Sequence, residues 1–240
     1  MLQLNQFYIG EAVNFMKENI PDNFVDLTVT SPPYDNLRTY KGFVFDYQSM
    51  FKELYRITKP GGVVVWVVGD ATINGSETGT SFKQALYAKD IGFNLHDTMI
   101  YEKAGFSNPS NNRYHQVFEY MFIFSKGRPK TFNPLKDRKN KWNGSWGNTS
   151  NRQKNGILIK KEKTTCNEYG MRFNIWRYAN GKGFGQKDEI SYRHPATFPE
   201  QLAQDHILSW SNEGDIVLDP MCGAGTTCKM AWLNKRNFIG

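Results

Sequence analysis

The 240-residue sequence has few cysteines, no long apolar run and no leader-like start, and each shortage removes a class of protein. Nothing in it approaches the ~18 consecutive apolar residues of a membrane-spanning helix. Met1-Leu2-Gln3-Leu4-Asn5 lacks the basic-then-apolar order of a secretory signal. Three cysteines, Cys166, Cys222 and Cys228, have no metal-type spacing, and no Cys/His cluster completes a zinc site. They read as reduced thiols of a cytoplasmic protein, with no metal expected. The Gly-Lys-Ser/Thr of a phosphate-binding loop is absent. His96, His115, His194 and His206 stand beside no paired nucleophile and read as structural.

What is present is aromatic and basic. With 17 Phe, 12 Tyr and 6 Trp, the chain can bury the area of one globular domain, and disorder is not expected. The net charge is +7, unevenly spread. From Lys126 to Lys187 there are 16 Lys and Arg against 3 acids, a net +13 that leaves −6 for the rest. A basic segment on an acidic body points to a polyanionic partner.

Hydrophobic periodicity predicts strands at Val25–Thr30, Val63–Val68 and Ile216–Leu218. The unbroken Val63-Val64-Val65-Trp66-Val67-Val68 suits a strand covered on both faces. Met99–Tyr101 and Tyr120–Phe124 read as an antiparallel pair at one sheet edge. Helices are expected over Glu11–Glu18, Tyr47–Ile57, Ser81–Lys89 and Pro199–Trp210, the second stopped by a Lys59-Pro60-Gly61-Gly62 turn and the last opening with Pro199 in its first position. Alternating strands and helices imply an α/β fold with a doubly wound, mostly parallel sheet. Residues 127–187, rich in Asn, Gly, Lys, Trp and Arg, show no sustained period and read as an insertion between two parts of that sheet, 1–126 and 188–240.

Two motifs carry chemistry. Thr30-Ser31-Pro32-Pro33-Tyr34 ends a strand, where open α/β sheets place ligands. Consecutive prolines fix the backbone and donate no N–H, so the Ser31 and Pro32 carbonyls can stand as acceptors. Beside the flat face of Tyr34, they suit a planar aromatic amine whose lone pair is delocalised and must be freed. A base flipped out of a duplex presents such a group. The second motif is Ile216-Val217-Leu218-Asp219-Pro220-Met221-Cys222-Gly223-Ala224-Gly225-Thr226-Thr227: strand, acid, Gly-x-Gly, helix. Gly223 and Gly225 let backbone approach a ligand, and Asp219 can face a cation such as a methionine ammonium. Position 228 is Cys where a dinucleotide fingerprint has its third Gly.

Together the motifs resemble the amino-methylating DNA methyltransferases of the permuted β class, in which the catalytic motif precedes the target-recognition region and the cofactor loop follows. The resemblance covers nearly the whole chain. It implies a circularly permuted S-adenosylmethionine-dependent methyltransferase fold, S-adenosylmethionine as cofactor, duplex DNA as partner and, functionally, a cognate restriction endonuclease. It assigns catalysis to Ser31, Pro32, Pro33 and Tyr34, with Asp70 of Gly69-Asp70 beside the pocket, to orient Ser31 or accept a proton. Cofactor contacts fall to Asp219, Pro220, Cys222, Gly223, Gly225, Thr226 and Thr227, to Phe198 and Pro199 of His194-Pro195-Ala196-Thr197-Phe198-Pro199, and to Glu11, near the adenine. Phe7–Ala12 resembles the short strand that opens this class. Segment 127–187 becomes the target-recognition region. Arg113, Lys139, Lys141, Arg152 and Lys154 become DNA contacts, while Trp142 and Trp146 serve either DNA or the packing of the small lobe.

Within this class a leading serine is typical of cytosine-N4 enzymes, and Asp or Asn of adenine-N6 enzymes, so Ser31 points to cytosine. The sequence stops at Asn237-Phe238-Ile239-Gly240, where the resemblance leads one to expect a ribose-binding acid and a further helix. The expectation is therefore either a sequence cut short at this point or a cofactor site lacking one part, with an adenine-N6 methyltransferase, a non-catalytic DNA-binding remnant or an RNA-directed enzyme as alternatives.

Overall fold

The computed structural model describes residues 2–33, 45–105, 109, 111–146, 150–160, 164–179, 185 and 198–240, without the side chains of residues 146 and 164. The chain divides into two compact units, Met1–Asn133 with Asn174–Gly240, and Pro134–Phe173.

The larger unit is built on a seven-stranded sheet. Its strands are β1 (Val25–Thr30), β2 (Thr58–Val68), β3 (Asn94–Lys103), β4 (Phe118–Ser125), β5 (Ile175–Tyr178), β6 (Ile216–Leu218) and β7 (Asn237–Ile239). They lie in the order β5-β3-β4-β2-β1-β6-β7. β2, β1, β6 and β7 are parallel neighbours, as are β5 and β3; β4 alone is antiparallel to both strands beside it. This is the mostly parallel sheet that the alternation of elements predicts.

Helices α1 (Ala12–Asn19), α2 (Tyr47–Ile57) and α3 (Thr80–Asp90) pack on one face. Met16, Phe51, Leu54 and Ala85 meet Val64, Trp66, Val68 and Phe124 there in one buried cluster. The Trp66 indole N–H is satisfied within that core by Gln84 Oε1 at 2.8 Å. Side chains alternate along a strand, so Met121 points to the face opposite Phe122 and Phe124. On that face α4 (Glu200–Trp210) brings a His206 Nε2 to 3.2 Å from the Met121 sulfur and Asp205 to 2.7 Å from the Tyr178 hydroxyl. α5 (Thr226–Leu233) follows β6. Among the described residues no helix is long and apolar enough to cross a membrane, and no group of three or more His, Cys, Asp or Glu is placed to hold a metal ion.

Four local expectations need correcting. Lys59–Gly62 does not merely end α2; it forms a bulge inside β2, across which Val25 pairs with Thr58 and Leu27 with Val63. Gly62 is required there, since a Cβ would lie 2.9 Å from the Asp26 carbonyl oxygen. The β3–β4 pair is antiparallel but not the edge: β5, inside the segment read as irregular, pairs outside β3. Four residues are too few to show a period by themselves. Pro199 caps α4 rather than opening it. Phe7–Ala12 forms no strand; a single parallel bridge joins Gln6 to Ile239, extended by Tyr8 N–H donating to the Gly240 carbonyl at 2.8 Å.

The described residues of the smaller unit form three short two-stranded antiparallel ladders. Arg138–Lys139 pairs with Tyr169–Gly170, Gly144–Trp146 with Thr164–Cys166, and Ser150–Arg152 with Leu158–Lys160. The register shifts between Lys139/Tyr169 and Gly144/Cys166. Arg172 pairs with Asp137 at the base of the unit, and the Arg138 guanidinium lies 4.2 Å from the Phe173 ring centre.

Candidate active site

β1, β2 and β6 run in the same direction, so their carboxyl ends share one edge of the sheet. That edge receives Ser31-Pro32-Pro33 after β1, Gly69-Asp70 after β2 and Asp219 after β6. Parallel pairing therefore brings together two motifs nearly two hundred residues apart.

The link between them is specific. The Thr30 hydroxyl donates to Asp219 Oδ1 at 2.6 Å, and the same oxygen accepts from the Met221 amide at 3.2 Å. Thr227, in the first turn of α5, donates to the Val29 carbonyl at 3.0 Å. The last two residues of β1 are thus tied to the loop after β6. Sequence reading had no signal for Thr30 or for this role of Thr227; a polar residue ending a strand is unremarkable until its partner is known.

Asp219 is buried, 2 % exposed. Burial pushes its carboxyl up to about 6, although hydrogen bonds from Thr30 and Thr227 and from the Met221 amide pull the other way. Its neighbours form a close-packed turn. Gly223 and Gly225 both adopt left-handed backbone, at φ +49° and +78°. A Cβ on Gly225 would also lie 3.3 Å from the Phe7 ring. Gly225 starts α5 without a side-chain cap, so first-turn amides there are open to an anionic group. An acid and a helix N-terminus side by side form a donor set of opposite signs. That set fits the ammonium and carboxylate of a methionine moiety.

Two thiols meet here, Cys222 in the loop and Cys228 in the first turn of α5. Cys222, half-buried, is in hydrogen-bond contact with the buried Cys228. That contact lowers the Cys222 thiol, while the same contact and burial raise Cys228.

Other predicted residues are placed as follows. Pro32 is buried, with Ser31 and Pro33 half-buried; Tyr34 lies outside the described residues. Pro220 is half-buried, Thr226 and Thr227 are buried, and Phe198 and Pro199 immediately precede α4. Asp70 commits both carboxylate oxygens to the start of α3. Ser81 donates to it from its amide at 2.9 Å and its hydroxyl at 2.5 Å, and Thr78 from its hydroxyl at 3.3 Å. Glu11 caps α1 by accepting from the Val13 and Asn14 amides at 3.1 and 2.8 Å. Arg113 donates to the Gly75 carbonyl at 2.6 Å and so holds the short Thr72–Glu77 hairpin. Lys139, Lys141, Arg152 and Lys154 lie exposed on the smaller unit, Lys139 within 3.8 Å of Glu168.

A doubly wound sheet with one antiparallel strand, and an acid–glycine loop beside a proline-fixed strand end, together define a methyltransferase-type α/β domain. Residues 25–240 match the DNA methylase family of N6/N4 methyltransferases, and the chain belongs to that family. It is 62% identical over 228 residues, 94% of this chain and 86% of the relative, to the orphan methyltransferase M.BamHII of Bacillus amyloliquefaciens. It is 26% identical to the type II methyltransferase M.BglII of Bacillus subtilis, covering 99% of this chain and 65% of that protein. Among solved structures, the cytosine-N4-specific PvuII DNA methyltransferase superposes with a TM-score of 0.70 at 19% identity, covering 98% of this chain and 80% of that one. The M1.HpyAVI complex with S-adenosylmethionine gives 0.63 at 23% identity, covering 98% and 92%. These two likenesses establish the fold.

Proposed function

We propose that this chain methylates the N4 amino group of cytosine in duplex DNA, with S-adenosylmethionine as the methyl donor. The observation that carries the reading is the Thr30–Asp219 hydrogen bond, which seats Ser31-Pro32-Pro33 directly beside the acid–glycine loop.

S-adenosylmethionine supplies a methyl group on a positively charged sulfur, open to displacement by a well-placed amine. Asp219 and the uncapped start of α5 hold its methionine end, one by charge and the other by amide donors. Gly223 and Gly225 keep side chains out of the approach. Ser31 and the Pro32 carbonyl accept from the base amino group, which draws the nitrogen toward tetrahedral geometry and frees its lone pair. Tyr34 stacks the flipped base. Most of the acceleration comes from holding two reactants in line. Asp70, whose oxygens are taken by Ser81 and Thr78, steadies the rim of the pocket. The basic segment 127–187 holds the duplex as the target-recognition region.

The choice of cytosine rests on Ser31, and the fold shared with the cytosine-N4-specific PvuII enzyme supports it. The orphan designation of the 62% identical relative favours action without a paired endonuclease. The test is transfer of labelled methyl groups to duplex DNA, followed by mass analysis of the nucleosides. N4-methylcytosine is expected. N6-methyladenine overturns the base assignment, and no labelled nucleoside overturns the activity. Tyr34→Ala should lose most turnover while cofactor binding persists.

A further inference from the structure

The turn that carries Gly223 and Gly225 is bracketed by two cysteines whose sulfurs meet. Cys222 precedes the turn and Cys228 follows it in α5, with residues 223–227 between them. Their thiols are in hydrogen-bond contact. They differ in access. Cys222 is half-buried, whereas Cys228 is 0 % exposed. The Cys228 sulfur is also walled in: it lies 2.6 Å from the point where a Cβ on Gly240 would stand, and the Phe7 ring packs on the same glycine. A small oxidant in water therefore meets the Cys222 sulfur first, and Cys228 is the thiol already in contact with it. Their hydrogen bond also holds the Cys222 thiol below its ordinary value, which raises its thiolate share. The third cysteine, Cys166, belongs to the smaller unit, with its sulfur 3.3 Å from the Trp142 carbonyl oxygen.

We infer that Cys222 and Cys228 form a reversible disulfide, made by a hydroperoxide, that closes the loop after β6 to S-adenosylmethionine. The inference rests on the reading of that loop as the cofactor site. With hydrogen peroxide the Cys222 thiolate attacks one oxygen and the O–O bond breaks. Cys222 becomes a sulfenic acid, and the other oxygen leaves as hydroxide and takes up a proton to give water. Cys228 then attacks the Cys222 sulfur: the S–O bond breaks, the S–S bond forms, and the hydroxide departs with the Cys228 proton as a second water. Two thiols are oxidised and one peroxide is reduced. Bonded sulfurs stand far closer than sulfurs in hydrogen-bond contact, so one of them must move. Cys228 is held by α5, whose Thr227 hydroxyl donates to the Val29 carbonyl at 3.0 Å, and by its packing on Gly240. The turn yields instead. Gly225 N–H donates to the Cys222 carbonyl at 2.6 Å, so a shift of Cys222 disturbs the left-handed glycines over which the cofactor approaches. It also pulls on Met221, whose amide donates to Asp219 at 3.2 Å.

The test uses the whole chain carrying Cys166→Ser, which removes the third thiol, first reduced and then exposed to hydrogen peroxide. Both remaining cysteines fall on one tryptic peptide, 194–229. That peptide should lose two hydrogen atoms and regain them with dithiothreitol, whereas any oxygen added to Met221 on the same peptide stays. Affinity for S-adenosylhomocysteine, read by calorimetry, should fall about tenfold or more on oxidation and return with dithiothreitol. With Cys228→Ser added, no disulfide can form: Cys222 should stop at the sulfenic acid and be captured by dimedone, which should not label the protein that keeps both thiols. Cys228→Ala, which puts no polar group into that buried site, should give the same adduct. A peptide that keeps both thiols, or an oxidised Cys222 beside a free Cys228, overturns the inference. So does a disulfide that leaves the affinity unchanged. The reduced protein separates this result from the reading beneath it. If it fails to bind S-adenosylhomocysteine, the cofactor-loop assignment itself is sunk, whereas binding that persists through disulfide formation sinks only the switch.

Discussion

With Asp219 as the proposed partner of the cofactor ammonium, affinity should fall steeply as the solution is acidified, because that carboxyl is buried. Asp219 is 2 % exposed and its carboxyl is pushed up to about 6. Only the ionised form attracts an ammonium, so the apparent dissociation constant is the intrinsic one divided by the ionised fraction. That fraction is roughly nine-tenths one pH unit above the pKa and one-tenth one unit below, so binding should weaken about tenfold between pH 7 and pH 5. S-adenosylhomocysteine is a suitable probe: it keeps the ammonium and carboxylate but has no methyl to transfer. Calorimetry in two buffers of different ionisation enthalpy should also show proton release on binding near pH 6. Asp219→Asn should bind more weakly and lose the pH dependence. Stability has the opposite sign. Between about pH 4 and 6 the folded state holds this proton more tightly than the unfolded state does. The contribution is therefore full at low pH and is lost as pH rises through 6, by about 3 kcal/mol at most. A flat affinity from pH 5 to 8, or an unchanged profile in Asp219→Asn, would refute the assignment of Asp219 to the ammonium.

Two further outcomes follow from local geometry. Arg56 donates to the Met16 and Ile20 carbonyls at 2.8 and 2.9 Å and pairs with Glu53 and Asp22 at 2.7 and 2.6 Å, so it joins the end of α1 to α2. Arg56→Ala should cost about 2–3 kcal/mol in urea unfolding, and a change below about 0.5 kcal/mol would contradict that bridging role. Cys222, half-buried and lowered by its contact with Cys228, should react with iodoacetamide before the buried Cys228, and bound S-adenosylhomocysteine should protect it. Peptide mass mapping that finds Cys228 modified first, or no protection at Cys222, counts against this view of the loop.

Much of the scaffold was readable without coordinates. The valine run of β2, the face of Tyr47–Ile57 and the Asp219–Thr227 loop each carry a local signal: continuous apolarity, a 3.6-residue period, and glycines at a strand–helix junction. Those signals were enough for an α/β sheet and for the order of its two chemical motifs. Features that depend on a distant partner were not readable. The edge strand Ile175–Tyr178 is too short for a period and exists because Ile100–Lys103 offers it a ladder. Asp70 and Arg113 are chemically suited to a site, and their hydrogen bonds to the start of α3 and to a hairpin, 11 and 38 residues away, show only in the folded chain.

By itself, then, the sequence determined the class of fold and the residue types available for chemistry, because both follow from patterns within some ten residues. Only the tertiary structure decided how those residues are used. It set the Thr30 hydroxyl against Asp219 across 189 positions, a contact that exists because β1 and β6 are parallel neighbours. It also drew the basic segment into paired strands, where register rather than composition settles that Arg152 and Asn151 face opposite ways. Hydrogen-bond partners and strand register are properties of the assembled sheet, and no window of sequence contains them.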